Sequence, residues 1–97
     1  MDLKLCDSDF KFMTLIWDNE PLFSRTLVKI ANEKYGWQKS TTYTELKKMT
    51  ERGFAENKNS IVSSLISSDD VRSYMAKCFV EANFGGSLDE FLKAYRR

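Results

Sequence analysis

Apolar residues recur with helical spacing through the first half of the chain, give way to short strand-like runs after Gly53, and return to helical spacing in the last third. Asp7-Ser8-Asp9 offers an N-cap and dipole-compatible acids for a first helix running to about Trp17. Phe10, Met13 and Trp17 share one face of it, which Phe12 and Ile16 widen. Ser24 is placed to cap a second helix in which Leu27, Ile30, Ala31 and Tyr35 face inward, and Gly36 ends it. A third helix is predicted over residues 40–52, stopping at Gly53. At 100° per residue, Thr42, Leu46 and Met49 point to the core, while Ser40, Thr41, Thr44, Lys47, Lys48 and Glu51 point outward. Phe54-Ala55-Glu56 and Ser60-Ile61-Val62-Ser63-Ser64-Leu65 read as two strands joined at Asn57-Lys58-Asn59.

Ser67 or Ser68, with Asp69 and Asp70, starts a long helix carrying Val71, Tyr74, Met75, Cys78, Phe79 and Ala82. Gly85-Gly86 breaks it. Ser87-Leu88-Asp89-Glu90 is a capping box opening a final helix striped by Leu88, Phe91, Leu92 and Tyr95. Three helices followed by a hairpin is the winged-helix order. The predicted class is therefore mostly α with a small β-hairpin: a winged helix-turn-helix head over residues 1–66 and a C-terminal helical arm over 67–97. The last two helices have too little partner surface within one chain, so the arm is expected to dimerise. Tyr74, Met75, Cys78, Phe79, Phe84, Leu88, Phe91, Leu92 and Tyr95 are its candidate interface, since aromatics concentrate in buried subunit contacts.

At 97 residues with 42% hydrophobic content, the chain can bury one core of modest stability, which a dimer would supplement. The net charge of +1 does not announce a nucleic-acid binder, but its distribution is uneven. Residues 1–20 carry a net −3, whereas residues 38–58 carry a net +2 through Lys39, Lys47, Lys48, Arg52 and Lys58 against Glu45, Glu51 and Glu56. Cys6 and Cys78 lie far apart, and there is no histidine. That removes the usual zinc sites and Cys–His or Ser–His nucleophile pairs, so no metal, cofactor or catalysis is expected. Asp69-Asp70 and Asp89-Glu90 read as helix caps, not acid–base pairs. No apolar run reaches the length of a membrane span, and a cytoplasmic location is expected.

The opening Leu5-Cys6-Asp7-Ser8-Asp9-Phe10 with Met13-Thr14-Leu15-Ile16-Trp17, then Gly36-Trp37, Thr41-Thr42-Tyr43-Thr44-Glu45-Leu46-Lys47-Lys48-Met49 and Arg52-Gly53, together resemble the penicillinase and methicillin-resistance repressor family, often called BlaI/MecI. Ser68-Asp69-Asp70, Phe79 and Phe84-Gly85-Gly86-Ser87-Leu88 are similar to the start and break of its dimerisation region. The resemblance implies a winged-helix head, helical dimerisation arms, a palindromic DNA operator, control of resistance genes, and relief of repression through a membrane sensor protease pathway that cleaves the arm. Several positions depart from that pattern. The family's cleavable Asn-Phe bond falls at Ala94-Tyr95, Glu45 stands where an apolar residue is usual, and the wing is short and poor in basic and aromatic residues. The chain stops at Arg97, before the family's last helix, so the arm is expected to be short. It also lacks the cysteine-rich tail of the copper-responsive relatives.

In the helix-turn-helix context, the third helix enters the major groove and reads base edges while basic and hydroxyl side chains hold phosphates. Thr41 and Thr44 allow close approach and offer both a hydroxyl and a methyl. Ser40 shares their exposed start, and Tyr43 flanks them. Lys47 and Lys48 are the candidate phosphate or guanine contacts, Arg25 sits where a helix N-terminus meets a phosphate, and Lys39 and Lys58 are secondary candidates. Trp37 reads as a packing anchor between the second and third helices. The expected function is a homodimeric, sequence-specific repressor bound to double-stranded operator DNA. The alternative is a winged helix kept as a protein-interaction module, for which the short wing and Glu45 speak.

Overall fold

The computed structural model describes all 97 residues, Met1–Arg97. Its elements run α1 (Asp7–Asn19), β1 (Leu22–Phe23), α2 (Ser24–Tyr35), α3 (Lys39–Glu51), β2 (Ala55–Lys58), β3 (Ile61–Ser64), α4 (Ser68–Phe84) and α5 (Leu88–Arg96). They form two compact units, one of Leu5–Ser68 and the other of Met1–Lys4 with Asp69–Arg97.

In the first unit α1, α2 and α3 pack on one another and on a three-stranded antiparallel sheet of order β1-β3-β2, which is a winged helix. The core comprises Leu5, Phe12, Met13, Leu15, Ile16, Leu27, Ala31, Leu46, Met49, Phe54 and Val62, with Thr42 buried among them. The burial of α1 differs from the expected face. Met13 is buried as expected, together with Phe12, Leu15 and Ile16, while Phe10 and Trp17 are only half-buried and meet edge to face at 5.6 Å. The reason is that α1 is covered from three sides, by α2, α3 and β3, so a wider arc than one stripe leaves water. Trp17 Nε1 donates to Ile66 O at 3.0 Å, pinning the chain after the hairpin to α1.

The hairpin is longer than the residue pattern suggests. Strands β2 and β3 pair from Ala55↔Ser64 to Lys58↔Ile61, so the turn is Asn59-Ser60, not Asn57-Lys58-Asn59. Both turn residues have positive φ, 54° and 64°, as a two-residue hairpin loop of matching twist requires. Strand β1 has no counterpart in the residue pattern. It pairs Leu22↔Val62 and Phe23↔Ile61, and two residues after a proline are too few to leave a periodic signal. Ser24 does not cap α2: Phe23 is the N-cap residue, and Ser24 is buried with its amide donating to Ser60 O at 2.8 Å.

In the second unit, α4 ends at Phe84, and Gly85 and Gly86 both adopt positive φ before α5. At Gly86 the left-handed φ of 82° is what favours glycine, since a side chain there would meet only the movable end of Glu81. Ser87 Oγ accepts from the Glu90 amide at 3.2 Å, the expected cap.

Candidate nucleic-acid interface

A left-handed Gly36 (φ 71°) closes α2, its amide donating to Asn32 O at 2.9 Å. Asn32 Nδ2 in turn donates to Trp37 O at 3.1 Å, which holds the turn between α2 and α3. Trp37 packs elsewhere than expected. Its ring lies parallel to that of Phe12 in α1, with centroids 6.0 Å apart and planes 6° off, and tilts against Tyr35. The tryptophan therefore ties the helix-turn-helix to α1.

Helix α3 then has one buried side, Thr42, Leu46 and Met49, and one exposed side. Lys39, Ser40, Thr41, Tyr43, Thr44 and Lys47 are all exposed. Tyr43 and Lys47 border a shallow groove of about 480 Å³ that reaches Asn57 of β2, bringing the exposed side of α3 next to the wing. Two more of the proposed DNA-binding residues lie outside α3. Arg25 opens α2 with its guanidinium 4.8 Å above the Phe23 ring, and Lys58 ends β2 with Nζ 3.7 Å from Glu56 Oε2.

Lys48 is placed differently from the other lysines. Its Nζ donates to Asp9 Oδ1 at 3.0 Å, and Arg52 Nη1 approaches Asp9 Oδ2 at 3.4 Å. The Asp9 side chain is only 3% exposed, against 49% for Lys48. Asp9 is thus not a solvated acid at a helix start, as its position suggests, but the buried centre of an ion-pair network joining α1 to α3. Glu45 belongs to the same cluster, and its Oε2 is buried without a hydrogen-bond donor. Burial, followed by the hydrogen bond and the charge of Asp9, pushes the Glu45 carboxyl up to about 7. Burial also works against ionised Asp9, but its bonds to Glu45, Lys48 and Cys6 outweigh it and hold that carboxyl below the usual carboxylate range. Bonding to Asp9 raises Lys48 above the ordinary lysine value. Asp9 and Arg52 are the site residues that sequence reasoning misses. The available signal is an acid set between Leu5, Phe10 and Phe12, but nothing in the spacing names its partners.

In the second unit the proposed interface residues cluster. Phe84 and Phe91 meet edge to face at 5.5 Å, and Phe79 lies 6.1 Å from each. Tyr74, Met75, Cys78, Phe84, Phe91 and Leu92 are half-buried, while Phe79, Leu88 and Tyr95 are 52%, 59% and 79% exposed. Ala76, Phe79, Val80, Leu88, Phe91 and Tyr95 line an open apolar groove of about 750 Å³.

A winged helix with an exposed, hydroxyl- and lysine-bearing third helix, joined to a helical segment that displays aromatic side chains, is the build of a DNA-binding regulator. The family model described as penicillinase repressor matches residues 5–96, nearly the whole chain, and the protein belongs to that family of transcriptional repressors. No curated protein matches it. No helix is long and apolar enough to cross a membrane.

Proposed function

We propose that the protein is a dimeric, sequence-specific repressor that lays α3 in the major groove of a palindromic operator. The observation that carries this reading is the two-sidedness of α3. Thr42, Leu46 and Met49 anchor it in the core, while Thr41, Tyr43, Thr44 and Lys47 stand exposed on a rigid support. Thr41 and Thr44 read base edges, and Lys47, with Arg25, Lys39, Ser40 and Lys58, holds phosphates. Lys48 contributes from the edge of this surface, because Asp9 holds its ammonium. The head spans residues 1–66, and the arm, residues 67–97, joins two chains through its exposed aromatics. Two heads are needed, since a single module reads too few bases for tight binding. Work in the cytoplasm on resistance genes, with relief through a sensor protease pathway, is the setting this reading implies.

Footprinting of the region upstream of its own gene tests the proposal. The expected result is protection of two half-sites about one helical turn, or a multiple of it, apart. A second reading, a protein-interaction module, is favoured by the lysines already tied to Asp9 and Glu56. Absence of any gel shift at low salt and micromolar dimer would decide for it.

A further inference from the structure

Four ionisable side chains meet at the back of α3: Asp9 from α1, and Glu45, Lys48 and Arg52 from α3 and its C-cap. Both Asp9 oxygens are engaged by cations. Glu45 stands against the same carboxylate with Oε2 buried and no donor reaching it. An ionised Glu45 would leave a buried oxygen unsatisfied beside a like charge, which is doubly costly. A proton on Glu45 relieves both conditions, because a carboxylic acid donates to the neighbouring carboxylate. The other groups in reach are few. Cys6, just before α1, also lies within reach of Asp9, and α2 and β2 are the other elements packed on α3.

We propose that Asp9 and Glu45 hold one proton between them behind the recognition helix, and that releasing it weakens the head's grip on DNA. The proposal rests on the repressor reading and adds a regulation to it. With the proton in place, one carboxylate faces Lys48 and Arg52, and the cluster carries a net positive charge beside the DNA-facing surface. Without it, two carboxylates face the two cations and the cluster is neutral. Ionised Glu45 also pulls on Lys48, whose half-exposed ammonium is the group a phosphate would otherwise share. The burial of Glu45 and the charge of Asp9 bring this release to about pH 7, within the range a cell crosses.

Two measurements test it on the intact protein. In the free protein, the side-chain carboxyl carbons of Glu45 and Asp9 are followed by NMR against pH. Glu45 is expected to titrate near 7 with Asp9 reporting the same step, and a Glu45 midpoint in the ordinary carboxylate range near 4.5 overturns the shared proton. Binding to a fluorescent duplex covering its own promoter is then measured at fixed salt from pH 6 to pH 8. Affinity is expected to fall about threefold per head, hence about tenfold for a pair, the size of one unit charge felt through a largely aqueous path. The Glu45→Gln variant, which cannot ionise there, is expected to match the wild type at pH 6 and stay level. Parallel pH profiles for the two proteins overturn the link to DNA while the repressor reading stands. No binding at any pH overturns both.

Discussion

Asp9 Oδ1 and Lys48 Nζ are 3.0 Å apart, one on α1 and the other on α3, and the carboxylate is almost wholly out of water. The pair docks α3 on α1 along the flank of the side that Leu46 and Met49 anchor. Lys48 therefore has a structural role in the fold. Lys48→Ala is expected to lower stability modestly, because a buried carboxylate loses its closer cation while Arg52 still neutralises part of its charge. Urea titration checks the loss, and an unchanged midpoint would mean that the pair contributes nothing to docking α3.

Lys47 provides the contrast, one position away in α3 and with no such partner on the head. Lys47→Ala is expected to leave stability within about 0.5 kcal/mol of wild type. Operator affinity is expected to fall, and the slope of log affinity against log salt to become shallower by about one for each phosphate left without its lysine. Equal affinity and equal slope would remove Lys47 from the interface.

The pH dependence of folding has a definite sign. Folded Glu45 holds its proton up to about 7, against an ordinary 4.5, so between these values the folded head binds more protons than the unfolded chain. Stability contributed by this group therefore falls as pH rises through that window and levels off above it. Asp9 behaves in the opposite way: held below its ordinary 3.8, it stabilises the head above that value and loses this contribution in stronger acid. Thermal melts are expected to show wild type and Glu45→Gln converging at pH 5 and the variant melting higher at pH 8. Identical melting at both pH values would contradict a buried, protonated Glu45.

Much of this architecture is legible from residue order. Gly36 and Gly53 mark the ends of α2 and α3, and the three-and-four spacing of Thr42, Leu46 and Met49 gives the buried side of α3. Ser87 announces the cap of α5. What escapes is decided by packing between distant segments. Strand β1 exists because β3 offers Leu22 and Phe23 an edge. The acid at Asp9 is buried because α3 brings two cations 39 and 43 residues away to it, and local charge patterning cannot distinguish that acid from Asp7. Glu45, a polar residue at a usually apolar position, turns out to face this pair.

Trp37 is another case of long-range packing. Parallel stacking on the fully buried Phe12 places it on the seam between the helix-turn-helix and α1. Trp37→Ala is expected to cost about 3 kcal/mol, the lower part of the range for losing a large aromatic, since its outer edge remains in water. Chemical denaturation measures it. A loss below about 1 kcal/mol would show the ring to be dispensable surface, because surface changes rarely exceed about half that.

The arm carries the last prediction. Phe79, Leu88 and Tyr95 are among the most exposed apolar side chains of the protein, and they border one groove in the second unit. Burying these side chains against a second chain would take exposed apolar surface out of water and also set the spacing of the two heads. Phe79→Glu with Leu88→Glu places two charges in that groove, so sedimentation is expected to move from dimer to monomer while the melting of the head stays as it was. Operator binding should then weaken by orders of magnitude, because each head must bind alone. If the doubly substituted protein sediments and binds as the wild type does, dimerisation lies elsewhere, and α5 has another use.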